Sequence, residues 1–151
     1  MKKLLAVVLI ALFATAAWAQ KKGSGNSAFD SLDKSRDGFL GRNEIGAEKE
    51  LAKRFTKFDA DKDGRWNLDE FIKAHNDNDA RVLSDSAITT KVKALLLAEK
   101  GVPSMSISVQ TYEGRVLLSG FVDSAAIKEK AGKVAGGASG VKGVQNNLAV
   151  K

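Results

Sequence analysis

The spacing of apolar residues changes near residue 80, and the C-terminal half shows two patterns in succession. From residue 84 to residue 100 apolar side chains recur at helical spacing, and Gly101 stands where a helix would end. These apolar positions are Ile88, Val92, Leu95 and Leu96. From residue 106 to residue 120 apolar and polar residues alternate on both sides of Glu113-Gly114. This alternation around a tight turn predicts a β-hairpin.

The remaining C-terminal residues predict one more helix and one more strand. Asp123 or Ser124 is placed to cap a helix that carries Ile127, Ala131 and Val134. The glycine-rich stretch 136–140 would end that helix, and the alternation over 144–150 predicts a last strand. The expected order of elements is αββαβ.

The N-terminal half contains an internal repeat, because residues 29–45 recur in kind 26 positions later. The matches are Phe29 with Phe55, Leu32 with Phe58, Asp33 with Asp59, Asp37 with Asp63, Gly38 with Gly64, Leu40 with Trp66, Glu44 with Glu70, and Ile45 with Phe71. Apolar residues align with apolar residues and acidic residues with acidic ones. Eight matches at one offset predict two copies of a single supersecondary unit.

The second copy contains a twelve-residue acidic loop from Asp59 to Glu70 with the pattern D-x-D-x-D-G-x5-E. Ca²⁺ prefers six to eight oxygen ligands, and a tight loop can turn alternate side chains toward one ion. The expected ligands are Asp59, Asp61 and Asp63 by their carboxylates, Arg65 by its backbone carbonyl, Asn67 through a water, and Glu70 with both oxygens. Gly64 permits the positive φ at the bend.

The first copy, from Asp33 to Glu44, departs from this pattern because Ser35 replaces one aspartate and Gly41 stands at position nine. Its expected ligands are Asp33, Ser35, Asp37, the carbonyl of Phe39, and Glu44. Three carboxylates instead of four predict weaker binding. A loop that pairs with its partner and holds no ion is the alternative.

Residues 28–75 resemble the EF-hand family through these two loops. The resemblance implies two helix-loop-helix units packed as a pair, with Leu40 facing Trp66 in a short strand contact. The resemblance allows two roles for calcium: a switch that changes conformation on binding, and a static element that calcium stabilises. We favour structural calcium, because the first nineteen residues predict export from the cytoplasm and extracellular calcium is high and steady. Met1 and Met105 are also the only methionines, so no methionine-rich groove is visible.

Residues 83–150 resemble the BON domain in two runs, 109–120 and 140–148. That resemblance implies a small α+β fold associated with phospholipid at bacterial membranes. The candidate membrane-contact residues are Lys128, Lys130, Lys133 and Lys142. A few basic residues near an anionic surface give weak, salt-sensitive attachment. The alternative is an ordinary solvated helix face.

The first nineteen residues have the basic, apolar and small-residue order of a secretory signal peptide ending near Ala19. The predicted organisation is a signal peptide at 1–19, a flexible leader at 20–27, the EF-hand pair at 28–76, a polar linker at 77–82, and the BON-like domain at 83–151. The fold class is therefore α+β, with an all-α N-terminal unit. The expected location is the periplasm, or outside the cell.

Composition narrows the possible functions. The chain has no cysteine and a single histidine, and its carboxylates concentrate in the two loops, so we expect no enzyme. The net charge is +6, and residues 82–151 hold 9 basic and 5 acidic side chains. This excess is too small to indicate nucleic acid. The expected partners are calcium and either anionic phospholipid or an envelope protein. The alternative is a soluble calcium-binding or protein-contact factor that does not bind lipid.

Overall fold

The computed structural model describes residues 23–151, and its N-terminal unit consists of short helices and one small two-stranded sheet. Its elements are α1 (Ser27–Leu32), β1 (Leu40–Gly41), α2 (Arg42–Ile45), α3 (Lys49–Ala52), α4 (Phe55–Phe58) and β2 (Arg65–Trp66). Asn26 caps α1, since its side chain accepts hydrogen bonds from the N–H groups of Ala28 and Phe29 at 3.0 Å each. The predicted signal peptide, 1–19, lies outside the described residues.

A compact apolar cluster holds the N-terminal unit together. It consists of Phe29, Leu40, Ile45, Leu51, Phe55, Trp66, Phe71 and Ala74. The strands β1 and β2 pair antiparallel with Leu40 opposite Trp66, so this predicted contact is confirmed. The Trp66 ring stacks on Phe55 with centroids 4.9 Å apart, and its Nε1–H donates to the Phe55 carbonyl at 3.0 Å. The segments around the two acidic loops therefore share one core.

A single helix, α5 (Leu68–Ala98), runs for 31 residues from the N-terminal unit into the C-terminal unit. Residues 77–82, the predicted linker between the two units, are helical and belong to α5. Polarity suggested a linker, yet no glycine or proline interrupts this stretch. Side-chain contacts at helical spacing accompany the polar stretch: Arg81 forms an ion pair with Asp85 at 3.1 Å, and His75 Nδ1 lies 3.2 Å from an oxygen of Asp79.

The C-terminal unit contains a three-stranded sheet in the order β3-β4-β5. After a 3-10 turn at Ser104–Ser106 come β3 (Ile107–Tyr112), β4 (Arg115–Val122), α6 (Ala125–Gly136) and β5 (Gly143–Val150). β3 pairs antiparallel with β4, while β5 pairs parallel with β4 after the crossover through α6. The predicted αββαβ order is confirmed, with the second half of α5 as its first helix.

Helices α5 and α6 supply the apolar core of this unit together with one face of the sheet. The buried cluster includes Ile88, Val92 and Leu96 from α5 and Ala131 and Ala135 from α6. Leu95, which the spacing placed on the inner face, is instead exposed. Across residues 23–151, no helix combines the length and apolar character that a membrane crossing needs.

Candidate metal centre

The two acidic loops share one backbone geometry. In the second loop Lys62 and Gly64 have φ values of 60° and 81°, and in the first loop Arg36 and Gly38 have 57° and 87°. These are positions four and six of each loop. Positive φ at lysine and arginine is uncommon and costs free energy, so the loop closure imposes it. The result is a tight coil that turns alternate side chains inward.

Three carboxylates converge inside the second loop. Oxygen atoms of Asp59, Asp61 and Asp63 all lie within 4.8 Å of one another. Backbone N–H groups orient the three side chains: that of Gly64 donates to Asp59 at 3.2 Å, that of Asp63 to Asp61 at 3.2 Å, and that of Arg65 to Asp63 at 2.8 Å. Like charges this close repel unless a cation lies between them.

Asp59 supplies the clearest sign that the second loop fits a cation. Its Oδ1 atom is buried and has no hydrogen-bond partner. A buried carboxylate oxygen without a partner loses its hydration and gains nothing in return. A hard cation bound by oxygen ligands would supply the missing interaction. The residues present therefore fit calcium.

Glu70 closes the second loop from the start of α5. It is 5% exposed, and its oxygens accept hydrogen bonds from the N–H groups of Ala60 at 2.8 Å and Asn67 at 3.0 Å. Each carboxylate oxygen has two lone pairs, so these bonds position Glu70 and leave capacity for an ion. The Asn67 side chain caps α5 by accepting from the Glu70 N–H at 3.0 Å.

In the first loop, hydrogen-bond donors of the loop itself satisfy the carboxylate of Asp33. Asp33 is 8% exposed, and its oxygens accept from the Ser35 hydroxyl at 3.1 Å, the Asp37 N–H at 3.2 Å and the Gly38 N–H at 2.9 Å. The Ser35 hydroxyl thus donates to the oxygen that an ion would need. Within residues 23–151, the close three-carboxylate group is found in the second loop.

Glu44 closes the first loop as Glu70 closes the second. It accepts from the N–H groups of Ser35 and Gly41 at 3.0 Å each. Burial raises the pKa of Glu44, but the hydrogen bonds from Ser35 and Gly41 outweigh this effect, and the net pKa lies below the ordinary value. The carboxylate is therefore held ionised by the loop itself. The backbone carbonyls of Phe39 and Arg65 remain predicted ligands.

Ion pairs that the sequence did not predict join the N-terminal unit to α5. The buried Arg54 donates from Nε to Asp77 at 3.0 Å and from Nη1 to the Glu50 carbonyl at 2.7 Å. Lys57 donates to Asp77 at 2.9 Å. Hydrogen bonds from Lys57 and then from Arg54 lower the pKa of Asp77. Asp77, predicted to be a linker residue, is therefore part of the contact that fixes α5 to the N-terminal unit.

A second contact carries this network to the β-hairpin. The Tyr112 hydroxyl donates to Glu50 at 3.1 Å and lies 3.1 Å from Lys53 Nζ. The buried Asp85 accepts the N–H groups of Glu113 at 2.9 Å and Gly114 at 2.8 Å. Asp85 therefore anchors the hairpin turn to α5. An acidic residue at an otherwise apolar helix position was the only signal for it in the sequence.

The four candidate membrane-contact lysines do not form one surface cluster. Lys130 lies 2.6 Å from Glu99, and Lys133 lies 2.7 Å from Glu129. Lys128 and Lys130 are two residues apart on α6, which separates their directions by about 200°. The aliphatic part of Lys142 lies beside Gly114. Two of the four positive charges are therefore already paired with carboxylates.

Comparison with known proteins agrees with the architecture of the C-terminal unit. Residues 84–151 match the BON domain family. The chain is also 46% identical over 67 residues to the Osmotically-inducible protein Y of Escherichia coli (strain K12). That match covers 44% of this chain and 33% of the E. coli protein, so the chain spans about a third of the relative it matches. The EF-hand interpretation of residues 28–76 remains a prediction.

Proposed function

We propose that this protein is a non-enzymatic, calcium-stabilised envelope protein in which an EF-hand pair positions a BON domain. The calcium ion would lie in the loop from Asp59 to Glu70, with Asp59, Asp61, Asp63 and Glu70 as its carboxylate ligands. The observation that carries this proposal is the convergence of three carboxylates, one with a buried oxygen that has no partner. The loop from Asp33 to Glu44 would stabilise the calcium-binding loop mainly through the pairing of β1 with β2.

Calcium in this site would be structural. Glu70 begins α5, and Trp66 in β2 lies in the core beneath both loops. An ion that pulls Asp59 and Glu70 together would therefore stabilise the start of the helix that also enters the BON domain. Affinities of roughly 10⁻⁴ to 10⁻³ M suffice for extracellular modules of this kind.

The test is a titration with Ca²⁺ of chelator-treated protein that lacks residues 1–19, so that Trp66 is its only tryptophan. Binding is followed by calorimetry and by tryptophan fluorescence. We expect saturable binding that Glu70→Gln and Asp59→Asn each weaken by more than about tenfold, because each removes a charged ligand. Glu44→Gln is the matched control, since it makes the same change in the first loop. Absence of heat and of any fluorescence change up to millimolar calcium would refute the calcium role.

The BON domain carries the second part of the proposal, which is a location at the bacterial envelope. The predicted signal peptide at 1–19 would direct the chain to the periplasm, where the BON domain would contact anionic phospholipid or an envelope protein. The similarity to an osmotically inducible protein is compatible with a role in envelope stress. The alternative is a soluble calcium-binding or protein-contact factor.

Sedimentation with vesicles separates these alternatives. Vesicles of phosphatidylglycerol and phosphatidylethanolamine are mixed with the protein at low and at moderate salt. We expect sedimentation with the vesicles at low salt that declines as salt screens the basic side chains. Lys128→Glu tests a lysine whose side chain lies apart from the Lys130 and Lys133 ion pairs. Protein that stays in the supernatant at low salt excludes the lipid form of the proposal.

A further inference from the structure

One face of α5 carries a row of charged side chains, and each of them contacts a different part of the chain. We call this row the charged face; it consists of Glu70, Asp77, Arg81 and Asp85. At about 100° of rotation per residue, the four side chains leave the helix within roughly 80° of one another. Glu70 and Asp85, the two ends of the row, are 5% and 6% exposed. The charged face therefore runs from the calcium loop to the turn of the β-hairpin.

At its first end, the charged face ties α5 to the segment that enters the calcium loop. Glu70 closes the loop that begins at Asp59. Two helical turns further along α5, Asp77 accepts hydrogen bonds from Lys57 at 2.9 Å and from Arg54 at 3.0 Å. Both donors precede Asp59 in the chain, and Lys57 lies in α4. An ion between Asp59 and Glu70 and the ion pairs at Asp77 would therefore be two ties between the same two segments.

Arg54 and Glu50 extend this connection to the β-hairpin. The side chain of Arg54 is only 8% exposed; besides Asp77 it contacts the Glu50 carbonyl, to which Nη1 donates at 2.7 Å. The Glu50 carboxylate accepts from the Tyr112 hydroxyl at 3.1 Å and lies 3.5 Å from Arg81. Tyr112 ends β3, so the N-terminal unit contacts the hairpin directly through Glu50.

We propose that calcium in the loop from Asp59 to Glu70 strengthens the contact between Glu50 and Tyr112, and that the charged face of α5 carries this effect. The inference rests on the proposed calcium site. An ion in the loop would fix α4 against α5 and so hold Arg54 against Asp77. Arg54 then keeps α3, and with it Glu50, in place beside the hairpin.

The sign of the coupling follows from the shared segments. Each tie orders α4 relative to α5, and the second tie to form has less conformational entropy left to lose. The two ties therefore favour each other. Coupling between binding equilibria is reciprocal, so a stable contact at Tyr112 must raise the calcium affinity by the same factor by which calcium stabilises that contact.

Tyr112 is the only tyrosine of the chain, which makes the contact directly observable. Protein without residues 1–19, produced with isotope-labelled tyrosine and treated with chelator, is titrated with Ca²⁺ and followed by nuclear magnetic resonance. We expect the ring signals of Tyr112 to shift and to saturate together with the Trp66 fluorescence. The hydroxyl of Tyr112 contacts Glu50 and Lys53, neither of which is a predicted calcium ligand.

Substitution of Asp77 tests the path. Asp77→Asn should weaken calcium binding by about fivefold or more and reduce the shift of the Tyr112 signals. Asp79→Asn is the matched control: it removes the same charge from α5, but Asp79 is exposed, points to the opposite side of the helix and contacts His75. The calcium affinity of this control should stay within about twofold of the parent, because solvent and salt screen an exposed charge.

Substitution of Tyr112 tests reciprocity. Tyr112→Phe removes only the hydroxyl and should weaken calcium binding by about twofold or more. Circular dichroism verifies that the variants are folded, and the titration of the labelled parent needs no variant.

Two results would overturn the coupling while leaving the calcium role intact. In the first, calcium binds with heat and a Trp66 response, yet the Tyr112 signals do not move. In the second, the Asp77 and Asp79 variants bind calcium equally well. Absence of any calcium binding refutes the site itself, and the coupling with it.

Discussion

Replacing Asp85 by asparagine tests whether the BON hairpin depends on α5 for its geometry. Asp85 is 6% exposed, and its two oxygens accept the N–H groups of Glu113 and Gly114. Arg81 lies 3.1 Å from the same carboxylate. Asparagine keeps the shape of the side chain but turns one acceptor into a donor, which then faces an N–H donor.

These contacts determine how much stability the Asp85→Asn variant should lose. A hydrogen bond to a charged group contributes about 1.5 to 3 kcal/mol, and a buried donor left without an acceptor costs about 1 to 3 kcal/mol. The Gly114 N–H is buried, so Asp85→Asn should lower the free energy of unfolding of the BON domain by about 2 to 4 kcal/mol. Loss of the Arg81 ion pair adds to this effect.

The assay is urea unfolding followed by circular dichroism, combined with amide hydrogen exchange at Glu113 and Gly114. Asp123→Asn is the matched control, because Asp123 is exposed and lies 3.8 Å from Lys151; we expect a change below about 0.5 kcal/mol there. Faster exchange at the two turn amides should accompany the loss of stability. Equal stability of the Asp85 and Asp123 variants would refute the role given to Asp85.

Three further predictions follow from the geometry. Gly120→Ala should destabilise the BON domain by about 2 kcal/mol or more, because φ is 127° and an added Cβ would meet the backbone carbonyl of Ser106. Gly64→Ala should weaken calcium binding in the fluorescence titration, since φ is 81° and alanine strains the loop. The pKa of Asp77 is lowered in the folded state. The ionised Asp77 carboxylate therefore stabilises the fold above its ordinary pKa, and this stabilisation is lost as pH falls through the pKa of the folded state. Asp77→Asn should remove this part of the acid sensitivity.

Each of these predictions has its own check. Gly143→Ala adds a Cβ with no atom within 4 Å, so it should leave thermal unfolding nearly unchanged, and an equal loss in both glycine variants would contradict the steric argument. Gly38→Ala makes the Gly64 change in the first loop and should leave the main calcium transition intact. For Asp77, the free energy of unfolding is measured against pH for parent and variant. If both lose the same stability at acid pH, the Asp77 carboxylate is not a source of the acid sensitivity.

The local elements of the BON domain were predictable because short segments encode them. Alternation marked both hairpin strands, and Glu113 and Gly114 adopt the positive φ values of 50° and 78° that a tight turn needs. Ser124 caps α6 by accepting from the Ile127 N–H at 3.3 Å. The helical conformation of residues 77–82 was not predictable from their polarity, because the partners that stabilise this segment lie elsewhere in the chain. Arg54 and Asp77, for example, are 23 residues apart.

By itself, the sequence determined the αββαβ order, the repeat and the spacing of the acidic loops, since each depends on residues close to one another along the chain. Only the tertiary structure decided how the two loops differ. In the first loop the donors satisfy Asp33, whereas in the second loop an oxygen of Asp59 is left without a partner. The tertiary structure also turned Leu83 and Leu97 toward solvent along α5. Spacing along the chain determines which residues can share a site or a helix face. Burial in the folded chain determines which polar atoms lack a hydrogen-bond partner and which helix face is exposed to solvent.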